Sequence, residues 1–490
     1  MIPAAGGPAQ TLCAETGLGL GGSWNRNGVI LFASDQGPLR RVDASGGMCA
    51  PVGQAVPGTA PQLPLFLPDG NHFFYVDSKQ GDESSSGVYL AALDNPAPRK
   101  ILADFSSVVY APAGKGPTAH LLFMRDTTLM AQPFDEAELA AVGDPFPVAS
   151  QASTTLSPPQ VAASVANGIL AFVAGRPTVA QLTWFDRSGK ELGKAAQPAD
   201  EINVALSPDG NAVVVGRLEA NGQRALWLHD IARNSETRFV PREAQPSLAP
   251  VWFPDGRRVL FGMNGPAGQG LYRKDVNGGN QADLVLSTAD NTAIVPSTFS
   301  HDGRFLVYTV NDPKTRADIW YVPWDDKPDW GKAVKFLATD AIESQGQLSP
   351  DGKWIAYFSN ETGRGEVYIR PFPSGAGLWK VSVDGGVEPR WSPDGKQLYF
   401  LVPPTDASLQ RPLSTAAVES DARGGLRIGA PQKLFDVRVR LFVQQINIFA
   451  YSPHPDGRLL VNVLEAGEPA IDVITNWQKF IADKAQAAAR

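Results

Sequence analysis

The chain is predicted to be all-β, arranged as β-propellers of about ten four-stranded antiparallel blades. Three observations predict it. First, a Ser-Pro-Asp-Gly phrase or a close variant recurs at Phe66–Gly70, Ser207–Gly210, Phe253–Gly256, Ser300–Gly303, Ser349–Gly352, Ser392–Gly395 and His454–Gly457, with weaker copies at Asn25–Gly28 and Val165–Gly168. Second, the steps between glycines 28 and 70, 168 and 210, 210 and 256, 256 and 303, 303 and 352, and 352 and 395 are 42, 42, 46, 47, 49 and 43 residues. That is the length of a propeller blade. Third, each phrase leads into a short β-branched and aromatic run, and 48 Gly and 41 Pro supply the turns between runs.

One unit shows how its elements arise. Gln347-Leu348-Ser349 ends an innermost strand, and Pro350 takes the second turn position, where its fixed φ is preset and no amide donor is needed. Gly352 supplies the positive φ that turns the chain back. The second strand is Trp354–Phe358, rich in residues that suit a buried pleated surface. A polar loop from Ser359 to Gly365 leads to a third strand, Glu366–Arg370, which Pro371, Pro373 and Gly375 end. Trp379–Ser382 makes the outermost strand. Runs such as Leu182–Phe185, Leu226–Leu228, Ile319–Val322 and Leu459–Val461 are apolar throughout, as strands between blades should be. Only the tail Phe480–Arg490 reads as helical.

The gap of 98 residues between Gly70 and Gly168 holds one degenerate unit, so ten units are counted. A longer similarity groups them. The stretch Thr128–Phe134 with Gly143–Val148 resembles Gln410–Leu413 with Gly429–Leu434, and the units that follow end in Leu182-Thr183-Trp184 and in Val473–Trp477. The offset is six units. The expected domains are therefore a partial propeller of about four blades over 1–187, a complete six-bladed propeller over 188–478 and a tail over 479–490. Glu191-Leu192-Gly193 would close the ring, and residues 2–13 would be the outermost strand of a further blade. A single ring of ten blades is the alternative.

Composition narrows the function. A net charge of −7 without basic clusters disfavours nucleic acid as a partner. No run approaches the ~18 apolar residues of a membrane span, and the first residues show neither a basic n-region nor an apolar h-region. Cys13 and Cys49 fall on the outer strands of neighbouring blades, which diverge, so free thiols are favoured over a disulfide.

Catalytic signatures are missing. Gly17–Gly22 contains GxGxxG but precedes a strand rather than a helix, so a loop is the better reading. There is no kinase catalytic loop, Asp-Phe-Gly, GxSxG, HExxH, EF-hand loop or CxxC. His72, His120, His229, His301 and His454 sit at dissimilar blade positions, and turn chemistry accounts for the Asp-Gly aspartates. No metal and no cofactor is expected. Trp227, Trp252, Trp320, Trp354, Trp391 and Trp477 read as packing between blades.

Several longer phrases narrow the family: Gly21–Phe32, Thr128–Asp135, Gln181–Gly189 and Ser359–Pro373. With them the chain resembles the C-terminal, extracytoplasmic region of bacterial eukaryotic-like serine/threonine kinases, which carries TolB-type (WD40-like) repeats. The resemblance implies an extracytoplasmic or periplasmic sensor or scaffold that binds a protein or a small ligand, without the family's kinase domain. A stand-alone TolB-like periplasmic binding protein, a peptidase accessory and a purely structural platform remain alternatives. Propellers bind around the channel where the innermost strands begin. In the six-bladed ring the polar candidates there are Asn203, Thr298, Gln345, Gln347, Glu388 and Arg390, with Asn360, Glu361 and Arg364 from a neighbouring loop.

Overall fold

The computed structural model describes residues 11–13, 19–34, 37–53, 59, 61–79, 82–95, 97–113, 118–126, 128–150, 160–174, 179–219, 224–241, 245–246, 249–265, 268–279, 281–287, 294–312, 315–325, 328–403, 410–420, 425–440, 447–465 and 470–488. The expected strand over residues 2–13 therefore falls largely outside the described residues, as do Gly17 and Leu18, while Gly19–Gly22, expected as loop, belong to the strand Gly19–Trp24. The described strands form ten antiparallel sheets, and the chain divides into two units, Met1–Pro177 with Gly467–Arg490, and Thr178–Ala466. No helix among the described residues is long and apolar enough to cross a membrane.

The Ser-Pro-Asp-Gly phrase folds as a closed hydrogen-bonded turn. At Ser207 the hydroxyl donates to Asp209 Oδ1 (2.5 Å) and accepts from the Ala212 amide (3.0 Å), while the Gly210 amide donates to the Ser207 carbonyl (2.9 Å). The same set recurs at Ser300, Ser349 and Ser392. The serine and aspartate side chains and the glycine amide close the reversal with bonds local to the turn.

The second unit has six sheets. The first comprises Glu201–Leu206, Ala212–Leu218, Arg224–Asp230 and Ser235–Arg238, and the next four follow the same meander. The sixth is assembled from both ends of the unit: Tyr451–Pro453 and Leu459–Leu464 are completed by Ala180–Phe185 and Glu191–Lys194. Each neighbouring pair of sheets shares its own apolar cluster, and the sixth meets the first through Leu182, Trp184, Val204, Val213, Val215 and Leu460. The ring is closed.

Gly210 lies at that closure, with φ +77°, and a Cβ there would run into the imidazole of His454, which an edge contact with Trp184 (5.2 Å) holds in place. Gly352 occupies the matching turn with φ +69° and open space around it. Gly352→Ala should cost about 1 kcal/mol from the left-handed backbone alone. Gly210→Ala should cost about 2 kcal/mol, because the clash adds to it. Urea unfolding midpoints of the two variants measure the difference, and equal losses would remove His454 from the closure.

The first unit has four sheets. Three apolar clusters join them in sequence, built around Leu31, Phe66 and Phe73, around Phe74, Leu121 and Phe134, and around Leu122, Leu170 and Trp477. All four innermost strands line one cavity of about 520 Å³, including Ser23–Arg26, Leu65–Pro68, Val108–Tyr110 and Ala163–Val165. The fourth sheet is Ala163–Ala166, Ile169–Ala174 and Ala470–Thr475, after which the chain turns into the helix Trp477–Ala488.

Two expectations differ from this arrangement. The unit expected over 188–478 runs over 178–466, because two third strands exchange sheets: Ala180–Phe185 pairs with Leu459–Leu464, and Ala470–Thr475 pairs with Ile169–Ala174. Both are apolar runs of equal length placed before a tryptophan or a turn, so periodicity cannot choose between their partners. The cysteines, expected as free thiols, form the disulfide Cys13–Cys49 with Cα atoms 5.9 Å apart. The outer segments do not diverge at this point. The Gly47 amide donates to the Leu12 carbonyl (3.0 Å) and draws residues 11–13 alongside the loop that carries Cys49.

Candidate functional site

Four of the six innermost strands of the second unit share one irregularity. Register breaks fall between Ile202 and Ala205, Pro296 and Thr298, Ser344 and Gln347, and Val387 and Arg390. Such bulges re-aim the side chain at the extra residue. Three bulge residues are left-handed, namely Asn203, Gln345 and Glu388, with φ of +59°, +59° and +57°.

Their side chains tie one sheet to the next. Asn203 Oδ1 accepts from the Phe449 amide (3.0 Å), Gln345 Oε1 from the Glu388 amide (2.7 Å) and Glu388 Oε2 from the Ala450 amide (2.6 Å). The segment leading into the sixth sheet is the common partner. Asn447 Nδ2 donates to the Val295 carbonyl (2.9 Å) and Ser297 Oγ (2.6 Å), while its Oδ1 accepts from the Gln345 amide (2.8 Å). The Arg390 guanidinium lies 3.8 Å from the centre of the Phe449 ring and donates to Gln347 Oε1 (3.1 Å). Residues 447–450 thus touch the first, third, fourth and fifth sheets at once, and they are buried. They plug the centre of the ring from within the chain.

Five of the nine expected site residues, Asn203, Gln345, Gln347, Glu388 and Arg390, therefore converge around the axis, each engaged by the chain's own groups. Thr298 stands half-buried on the wall and donates to the Phe299 carbonyl (3.1 Å). The other three stay apart from the cluster. Asn360 Oδ1 accepts from the Ile342 amide (2.8 Å), exposed Glu361 donates its amide to Ser359 Oγ (3.2 Å), and Arg364 pairs with buried Glu366 (2.5 Å). Sequence reasoning missed Asn447, Phe449 and Arg411. An asparagine in the run Asn447-Ile448-Phe449-Ala450-Tyr451 was the available signal, a polar group inside an apolar stretch.

The plug is electrostatically loaded. Glu388 is 1% exposed, and burial pushes its carboxyl up from 4.5 to about 7. Its Oε1 has no hydrogen-bond partner and lies 3.8 Å from Arg411 Nη1. Burial also pulls Arg390 down to about 10, so it stays cationic at neutral pH. Asn447→Ala would leave the Gln345 amide and the Val295 carbonyl buried without these partners. A loss of about 2–3 kcal/mol in the stability of the second unit is expected from urea unfolding. An unchanged midpoint would mean that the plug contributes nothing to the ring.

Glu201, His229 and Glu236 bring ligand atoms within 4.8 Å of one another. Arg217 already occupies the charge-balancing position: Nη2 is 2.6 Å from Glu201 Oε1 and 2.7 Å from Glu236 Oε2, and the guanidinium stacks 4.0 Å over Trp227. His229 Nε2 meets the same Glu201 oxygen at 2.8 Å. A cation would have to displace an arginine.

The opposite end, where the Ser-Pro-Asp-Gly turns lie, carries a groove of about 710 Å³ between the fourth and fifth sheets. Trp354 and Trp391 lie at its base and are nearly buried, and Asp351 and Asp394 of two turns border it. The Trp391 indole is fixed by donating Nε1–H to the Gln347 carbonyl (2.9 Å). The Ser392 hydroxyl, and after it the Lys396 amide, hold the Asp394 carboxyl below its usual range. The far wall, Val418, Glu419 and Leu426, comes from an extension of the fifth sheet in which the 11-residue strand Gln410–Ser420 pairs with an added strand, Leu426–Ile428. The repeat pattern does not call for that hairpin, and the groove exists because of it.

No protein-family model and no curated protein matches the chain. Among solved structures, a protein described as TolB from Agrobacterium tumefaciens is similar over 59% of this chain and 99% of its own, at 19% identity and a TM-score of 0.46. TolB from Acinetobacter baumannii is similar over 70% of this chain and 81% of its own, at 14% identity and a TM-score of 0.38. The tricorn protease aligns with 92% of this chain over 43% of its own, at 13% identity and a TM-score of 0.32.

Proposed function

We propose that the chain is a non-catalytic binding protein, a sensor or scaffold, that recognises an extended segment of a partner protein in the groove between the fourth and fifth sheets of the second unit. The observation that carries this reading is the added hairpin. In the second unit it extends one blade only, its counterpart in the first unit, Thr128–Asp135 with Ala140–Ala141, being shorter. With Val418 and Leu426 it walls a cleft over two tryptophans. Concave apolar clefts with a few placed polar groups are where propellers and other rigid scaffolds take ligands. Carboxylates at Asp351, Asp394 and Glu419, the last paired with Arg427 (2.7 Å), outnumber the cations Lys396 and Arg427 and favour a segment that carries a basic residue beside its apolar one.

The finer setting follows from the sequence resemblance: the extracytoplasmic part of a serine/threonine kinase-type receptor, with a stand-alone TolB-like periplasmic binder as the alternative. The Cys13–Cys49 bridge supports an oxidising compartment. The reading frame upstream of the Met1 codon discriminates the two, since a kinase domain and a membrane span encoded there would select the receptor.

Selection of random peptides on the full chain tests the groove. Selected peptides should carry an apolar residue next to Lys or Arg, and Glu419→Arg should weaken them about tenfold. Peptides that bind Glu419→Arg and the wild type equally, or a selection that yields none, would overturn the reading.

A further inference from the structure

Among the described residues nine of the ten sheets have four or five strands, and one has three. In the first unit, Ala470–Thr475 stands where a third strand belongs and pairs with Ile169–Ala174 on one side only. Among the described residues nothing pairs with its other edge. A bare edge is a template for a further strand, and proteins often blunt it with a basic side chain, lysine above all, or a proline. Eight of the nine other outermost strands do so, with Pro51, Lys100, Pro147, Lys194, Arg238, Lys335, Lys380 and Lys433, the exception being Asp283–Ser287. Ala470–Thr475 has neither a basic residue nor a proline, and exposed Asp472 is its one charged residue. Ile471 and Val473 share one face of it and are 70% and 56% exposed.

We propose that this edge pairs with the same edge of a second copy of the chain, giving a two-fold dimer through a continuous six-stranded sheet. Antiparallel self-pairing needs a single patch used twice. A register centred on Val473 sets Val473 against its own copy, Ile471 against Thr475 and Asp472 against Ile474. β-branched residues then meet across the strands, and the one charged residue avoids its like. The missing fourth strand is supplied by the partner's third. The contact is small, so the dimer is of the weak, concentration-dependent kind.

Sedimentation velocity of the full chain over a concentration series tests this. The wild type should shift from monomer to dimer as concentration rises. Val473→Lys and Val473→Asp should each remain monomeric, since like charges then face each other across the axis. Their mixture should recover a dimer, which a nonspecific loss of solubility or fold would not produce. The exposed side chain makes an unchanged thermal midpoint the expected control. A wild type that stays monomeric throughout, a dimer indifferent to both substitutions, or a mixture that fails to recover would each overturn the proposal. Capture of an unrelated strand by a monomeric wild type would do so as well.

Discussion

Glu388→Gln should make the second unit more stable at pH 8 by about 3 kcal/mol and leave it unchanged at pH 4. The carboxyl is raised from 4.5 to about 7, with burial as the leading cause, opposed by the Ala450 amide and by Arg411 and Arg390. Below about pH 4.5 the group is protonated in both folded and unfolded chains and contributes no pH dependence. Between about 4.5 and 7 the unfolded chain releases its proton while the folded chain keeps it, so stability falls as pH rises. Above 7 both are ionised and the cost is constant, about 1.4 kcal/mol for each unit by which the two values differ. Glutamine keeps an acceptor for the Ala450 amide and removes the titration. Urea unfolding at half-unit steps from pH 4 to 8 should give a descending curve for the wild type and a flatter one for the variant. Parallel curves would mean that water or the nearby guanidinium groups already relieve the buried charge.

The fold was legible because its local chemistry is self-sufficient. Four copies of the turn close with their own serine, aspartate and glycine and three with aspartate and glycine alone, so seven copies announce seven hairpins whatever surrounds them. The count of ten sheets among the described residues follows from the spacing. Strand exchange between the units was not legible. Leu182-Thr183-Trp184 and Val473-Ile474-Thr475 suit either second strand, and only the three-dimensional path of the chain decides. The disulfide was misjudged for a related reason. A general rule about diverging outer strands gave way to one hydrogen bond, from Gly47 to Leu12.

The site was legible in part. Polar residues two and four positions before the turn serine do surround the axis, which is why Asn203, Gln345, Gln347, Glu388 and Arg390 come together. Sequence could not tell that Asn447, about 100 residues beyond Gln345, would meet them and fill the space, because that contact is made by side chains across the ring rather than by a repeating element. The groove was invisible for the opposite reason. Its wall is an insertion, and an insertion within a repeat reads as noise until its strand pairing, Val418 with Ile428, is seen.

Reduction of Cys13–Cys49 should destabilise the first unit by about 3–4 kcal/mol and leave the second unchanged. The bridge spans a sequence separation of 36 residues, and a cross-link of that length restricts the unfolded chain by roughly this amount. Beyond the bridge itself, one backbone hydrogen bond between Leu12 and Gly47 is the described tie of residues 11–13 to the first sheet. One bond of about 1 kcal/mol cannot hold a segment against its chain entropy. Cys13→Ser should therefore release it and uncover the outer side of Cys49. Two-probe unfolding separates the units: Trp24, Trp477 and the helix Trp477–Ala488 report the first, while the other nine tryptophans, all between Trp184 and Trp391, report the second. The first transition should move to lower urea under dithiothreitol and the second should stay. Coincident shifts would show that the units unfold together. No shift at all would mean that the bridge forms in a chain already held by its sheets, and the case for an oxidising compartment would lose its physical basis.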